Sequence, residues 1–224
     1  MPLRAIIFDM DGVIIDSEGF WQDAQVGILA TQGITITPEE CEKYTKGKRI
    51  DEIASVWCEK YPLKLPARQL EKLILTRVCD CITARGKAMT GLYQALDFFH
   101  QQGYRLALAT SSNQQVIRAV FDKLNLWDCF EVICSADDEP YGKPHPAVYL
   151  TTLNKLGLSP DECRVIEDSL NGFHAAQAAG IKTYVIAPDN HKPHFALAAG
   201  RYATLSELIH MMSYPRQPAL TING

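Results

Sequence analysis

Nowhere in these 224 residues does an apolar run reach the roughly 18 residues of a membrane-spanning helix, so no such helix is expected. The first residues lack a basic segment leading into a long apolar stretch, so no secretory leader is expected either. Positive charge is not in excess. The 22 Lys and Arg against 26 Asp and Glu give a net charge of −4. Nucleic-acid-binding domains are more often basic, so neither nucleic acid nor a membrane is an expected partner. Any anion site must then be assembled locally, from a few cations and backbone amides. A disulfide framework is missing too. The seven cysteines are odd in number, and the one close pair, Cys79 and Cys81, has no second pair at zinc spacing. Reduced thiols in a cytoplasmic protein fit best. Internal repeats and low-complexity segments are absent. What is present is 47% hydrophobic residues, enough for a sizeable core without cross-links.

The most informative stretch is Ala5-Ile6-Ile7-Phe8-Asp9-Met10-Asp11-Gly12. A short apolar run of this kind reads as a strand buried on both faces. It ends in two carboxylates one residue apart. Two such groups raise each other's pKa when buried together, and a bound cation relieves them. Residues 20–85 then show no convincing strand, only helical patterns at 20–32, from Thr37-Pro38-Glu39-Glu40, at 51–61 and at 66–85. From residue 91 helices and strands alternate, with strands at 105–109, 131–134, 164–166 and 183–186 and a last helix at 205–212. That alternation predicts a parallel sheet with helices on both faces. Because the first strand precedes the helical block, the block reads as an insertion. Residues from about 213 onward read as a loose tail.

Four strand ends carry polar groups: Asp9 and Asp11, Thr110 and Ser111, Glu167 and Asp168, and Lys143 in the loop after the third strand. The carboxyl ends of parallel strands share one edge, where ligands bind in open α/β sheets. Each signal alone has an ordinary explanation. Thr110-Ser111 can be a helix cap, Lys143 a surface lysine, and Glu167-Asp168 a complement to a helix dipole. Together they supply hard oxygen ligands for magnesium and a positive charge with a hydroxyl donor for an anion. That is a site for a phosphate and its metal.

With these motifs in this order, the chain resembles the haloacid dehalogenase superfamily of phosphotransferases, in the branch with a helical cap inserted after the first strand. The resemblance covers about residues 3–212, and within it the chain is similar to bacterial sugar phosphatases of the 2-deoxyglucose-6-phosphate or hexitol-phosphate type. It implies an α/β fold: a Rossmann-like, three-layer parallel-sheet core (residues 1–15 and 87–224) with an inserted all-helical cap domain (16–86). It implies Asp9 as nucleophile, Asp11 as general acid and base, and Gly12, next after Asp11, as the residue that allows the tight turn this requires. Mg2+ would be held by Asp9, the main chain of Asp11, and Asp168, with Glu167 ligating or orienting through water. Thr110 and Lys143 would hold the phosphoryl oxygens, and Ser111 and Asn113 would add hydrogen bonds to the phosphate or to the groups behind it.

The cap must choose the alcohol. Thr45-Lys46-Gly47-Lys48-Arg49 is a basic turn between helices, and the resemblance assigns Gly47 and Arg49 to the substrate. Glu18, at the crossing into the cap, is a further candidate. Trp21 stands near the cap position where the related β-phosphoglucomutases carry a histidine, and reads as an apolar wall unable to shuttle a proton. That departure disfavours a mutase. Asp11 disfavours a dehalogenase, which lacks it. A phosphonatase would use a cap lysine, Lys46 or Lys48, as a Schiff base. The expectation is a cytoplasmic, monomeric, magnesium-dependent phosphatase of small phosphorylated sugars or polyols. The alternatives are a phosphoglucomutase-type mutase and a sugar-phosphate-binding module without turnover.

Overall fold

In the computed structural model, residues 2–213 are described. The expected tail lies outside the described residues, beyond the last helix. Six strands form one parallel sheet in the order β3-β2-β1-β4-β5-β6. They are β1 (Ala5–Phe8), β2 (Arg105–Thr110), β3 (Val132–Ser135), β4 (Cys163–Glu167), β5 (Lys182–Ile186) and β6 (Gly200–Tyr202). The sheet is the expected α/β core, and β1 at its centre is buried throughout.

Side-chain alternation along the strands divides the core into two faces. Ile6, Phe8, Leu106, Leu108 and Ile166 face helices α5 (Leu92–Gln101), α6 (Gln114–Leu124) and α9 (Leu205–Ser213). Ala5, Ile7, Ala107, Ala109 and Val165 face α7 (Ala147–Leu156) and α8 (Leu170–Ala178). Small residues dominate the second face and let those helices approach closely. Phe8 anchors the first face, edge-on to both Phe99 and Phe130.

Between β1 and α5 lie four helices: α1 (Glu18–Thr31), α2 (Pro38–Thr45), α3 (Ile50–Lys60) and α4 (Ala67–Arg85). The start of α2 is the expected one, with Pro38 in its first turn and a reciprocal capping box between Thr37 and Glu40. The chain enters and leaves this helical segment side by side. Asp16 N–H donates to Lys87 O at 3.0 Å and Met89 N–H to Ile14 O at 2.9 Å. Apolar side chains continue from the sheet through Met10, Val13, Ile14 and Ile15 into the helices, so one hydrophobic cluster runs through both. Among the described residues no helix is long and apolar enough to cross a membrane.

Candidate active site

Register decides which residues meet. Phe8 pairs with both Leu108 and Ile166, so the residues after it fall beside the ends of β2 and β4. Asp9 N–H donates to Ile166 O at 2.9 Å, which seats Asp9 beside Glu167. Lys143 arrives from the loop before α7 and is 2% exposed. Its ammonium donates to Asp9 Oδ1 at 2.8 Å, Glu167 Oε1 at 2.6 Å and Ala109 O at 3.0 Å. Burial works against the charged lysine, but the Asp9 and Glu167 carboxylates hold its pKa well above the ordinary lysine value.

Glu167 is fully buried. Besides Lys143, its Oε1 accepts from Tyr149 Oη at 2.8 Å. Its Oε2 accepts from the Asp168 and Ser169 amides and from Ser169 Oγ, at 3.0, 3.1 and 3.1 Å. Gly172 makes room for it, since a Cβ there would run into the carboxylate. Five donors thus occupy the two oxygens, and the geometry favours an orienting role for Glu167 over ligation.

The donor set suits a hard cation. One carboxylate oxygen each from Asp9, Glu167 and Asp168 lie within 4.8 Å of one another, and oxygen-only sites favour magnesium or calcium. Burial first, then the Glu167 charge, pushes the Asp9 carboxyl up, with Lys143 opposing. Asp168 is pushed to about 7 by burial, with Lys46 opposing and Glu167 adding to the rise. Three crowded carboxylates around one buried ammonium leave an excess of negative charge that a cation would relieve. Gly12 closes the floor. It has a φ of 78°, and a Cβ there would stand 2.5 Å from Asp168 Oδ2. Only glycine meets both demands.

Asp11 is held by three donors. Ser17 Oγ and Trp21 Nε1 reach Oδ1 at 2.5 and 2.8 Å, and Ser112 Oγ reaches Oδ2 at 2.7 Å. Trp21 is therefore more than the apolar wall the sequence suggests, because its indole N–H faces the carboxylate.

A cavity above this floor is lined by Asp9, Asp11, Thr110, Ser111, Lys143 and Asp168 from the sheet edge. Glu18, Trp21, Gln22, Lys46, Gly47 and Lys48 line it from the helical segment. Gly47, with a φ of 74°, brings that segment down onto the sheet, and its carbonyl accepts from Ser111 Oγ at 3.0 Å. The neighbouring Lys46 carbonyl accepts from Asn171 Nδ2 at 3.1 Å. The Lys46 ammonium sits between Asp168 Oδ2 at 3.3 Å and Glu18 Oε1 at 3.4 Å. Burial disfavours its charge, but these carboxylates raise its pKa, the opposite of what a Schiff-base lysine needs.

Two expected contacts lie elsewhere. Asn113 does not line the cavity; its side chain caps α6, accepting from the Gln115 and Val116 amides. Arg49 points away as well. Its guanidinium donates to Ala136 O at 3.1 Å, Glu139 O at 2.8 Å and Asp51 at 2.9 Å, tying the helical segment to the loop that leads to Lys143. An arginine in a basic turn finds buried carbonyls as readily as an anion. His145 Nδ1, in the loop after Lys143, accepts from the Ala147 amide at 3.3 Å. Sequence reasoning missed Ser17, Ser112, Tyr149 and the pairing of Lys46 with Asp168. Of these only Ser112 had a local signal, its place in the Thr110–Asn113 polar run.

A family model described as haloacid dehalogenase-like hydrolase matches residues 3–180. The chain is 35% identical over 209 residues to hexitol phosphatase B of Escherichia coli K12, covering 92% of this chain and 94% of that one. It is 31% identical over 180 residues to a phosphorylated carbohydrates phosphatase of Thermotoga maritima, covering 80% and 83%. Among solved structures, CbbY from Rhodobacter sphaeroides in complex with phosphate matches with a TM-score of 0.82 and 25% identity, over 92% of this chain and 96% of that one.

Proposed function

Because the chain belongs to the haloacid dehalogenase-like hydrolases, we propose that it hydrolyses the phosphate monoesters of small sugars and sugar alcohols, with magnesium as cofactor. It is a phosphoric monoester hydrolase of that superfamily, similar over most of its length to sugar phosphatases. The observation that carries the reading is the Lys143 ammonium, bound to Asp9 Oδ1 at 2.8 Å on the floor of a cavity roofed by the helical segment. We take residues 16–86 as a cap and 1–15 with 87–224 as the catalytic core.

In this reading Asp9 attacks phosphorus, and an Asp9–phosphoryl bond forms as the bond to the sugar oxygen breaks. Asp11 gives that departing oxygen a proton. In the second step water attacks the aspartyl-phosphate while Asp11 takes a proton from it, releasing phosphate and restoring Asp9. Lys143 balances the charge of Asp9 and Glu167, while Thr110 presents its hydroxyl to the phosphoryl oxygens and Ser111 can do so by turning from the Gly47 carbonyl. Asp9, Asp168 and the Asp11 carbonyl would hold magnesium, which supplies positive charge to the phosphoryl group. Glu18, Gln22 and Lys48, on the cap side of the cavity, suit the hydroxyls of a polyol.

The test is phosphate release from a panel of hexose and hexitol phosphates with and without magnesium, with Asp9→Asn as control. Magnesium-dependent release by the parent, abolished in Asp9→Asn, is expected. Binding without turnover would overturn the enzymatic reading. Conversion of β-glucose 1-phosphate to the 6-phosphate without release would favour a mutase.

A further inference from the structure

The three hydrogen bonds to Asp11 are divided unequally between its oxygens. Oδ1 receives Ser17 Oγ and Trp21 Nε1, and Oδ2 receives Ser112 Oγ alone. The donors also differ in kind. A hydroxyl can turn and accept, whereas an indole N–H only donates. A proton on Oδ1 would have to turn toward Ser17, and it would leave the Trp21 N–H donating to a hydroxyl oxygen, a weaker acceptor than the carbonyl oxygen it meets when the proton is on Oδ2. A proton on Oδ2 meets a serine that can rotate and receive it. The backbone that carries the indole is also held. The Trp21 main-chain carbonyl accepts from Gln25 Nε2 at 3.0 Å, and Gln25 is buried. Gln25 Oε1 in turn accepts from Thr45 Oγ1 at 3.0 Å and Trp57 Nε1 at 2.8 Å. Buried hydrogen bonds across α1, α2 and α3 thus hold the segment that aims Trp21 at Asp11.

We propose that Trp21 is a positioning residue for proton transfer: its donor-only contact reserves Asp11 Oδ1 as an acceptor and leaves Oδ2 to exchange the proton with the sugar oxygen and then with water. The proposal rests on the reading of Asp11 as general acid and base. In the first step the proton leaves Oδ2 for the departing oxygen as the bond from phosphorus to that oxygen breaks. In the second it returns to Oδ2 from the attacking water.

Leaving-group dependence tests this. A sugar-alcohol phosphate departs as a basic alkoxide and needs the proton; p-nitrophenyl phosphate departs as a stable phenolate and does not. Trp21→Phe keeps the aromatic bulk and removes the N–H. Hydrolysis of the aspartyl-phosphate is common to both substrates, so the reading is kcat/KM, which reports transfer to Asp9: a fall of about tenfold is expected on the sugar-alcohol phosphate and less than about twofold on p-nitrophenyl phosphate. Ser17→Ala, a smaller change on the same oxygen, should move the two substrates in the same direction. An equal fall on both substrates would make Trp21 a packing residue and overturn the proposal. So would no fall on either. Asp11→Asn separates the two layers. It must show the same discrimination more strongly, and if it does not, the acid–base assignment of Asp11 fails and takes this proposal with it. If Asp11→Asn discriminates and Trp21→Phe does not, only the proposal for Trp21 fails.

Discussion

Glu167→Gln changes one atom and almost no volume, yet the surroundings of Glu167 leave the new amide without a good orientation. If the NH2 takes the place of Oε2, it faces the Asp168 and Ser169 amides, which cannot accept, and Ser169 Oγ, which can. If it takes the place of Oε1, it faces the Lys143 ammonium, which cannot accept either, and Tyr149 Oη, which can turn and do so. The second orientation is therefore the less costly one, and it breaks the buried Lys143–Glu167 pair. Removing one partner of a buried ion pair costs about 3–5 kcal/mol. Lys143 keeps Asp9 and Ala109 O as acceptors, so the lower end, about 3 kcal/mol, is expected. For a chain of this size that lowers the thermal midpoint by about 6–12 °C. Urea unfolding of the parent and Glu167→Gln, followed by circular dichroism at constant pH, measures it. A loss below about 1 kcal/mol would refute the reasoning, because a surface-like cost means that the network does not hold Glu167 as a fully paired group.

Gly12→Ala should lower magnesium affinity at least tenfold in calorimetric titration, because the new Cβ would stand 2.5 Å from Asp168 Oδ2 and push that carboxylate aside. Asp168 gives a pH dependence of known sign. Its folded pKa of about 7 lies above its ordinary 3.8, so the folded state holds the proton more tightly, and this group's contribution to stability falls as pH rises between those values. Magnesium binds the ionised form, so it should raise the thermal midpoint more at about pH 8 than at about pH 5.5, and an equal shift at both would refute a ligand role for Asp168. Arg49→Met should leave the affinity for inorganic phosphate within about twofold of the parent, since the guanidinium lies outside the cavity, and a tenfold loss would show that it reaches the anion.

The strands and helices were legible where the pattern is local. The buried run Ala5–Phe8, the capped start at Thr37–Glu40 and the alternation after residue 91 all lie within a few residues of the features that stabilise them. The strand β6 was not legible. Gly200–Tyr202 has no apolar run, and what makes it a strand is its pairing with β5 from Tyr184 to Ile186. In the same way Tyr149 reads in sequence as one more apolar position of α7, and only the fold turns its hydroxyl onto Glu167.

The sequence by itself determined the chemistry at the sheet edge. Asp9, Asp11, Gly12, Thr110, Lys143, Glu167 and Asp168 sit at strand ends or in the adjoining loop, and parallel pairing brings such positions to one side whatever the details of packing. Tertiary structure alone decided how those groups are held. The donors on Asp11 come from residues 6, 10 and 101 positions away in sequence, and nothing local to Ser17, Trp21 or Ser112 marks it as a partner of Asp11. Arg49 and Asn113 show the converse, since a cation and an amide with the right local setting were claimed by backbone groups elsewhere. The physical reason is the same in both cases. A hydrogen bond depends on direction and distance to within a few tenths of an ångström, and sequence spacing fixes neither once the partners lie on different elements.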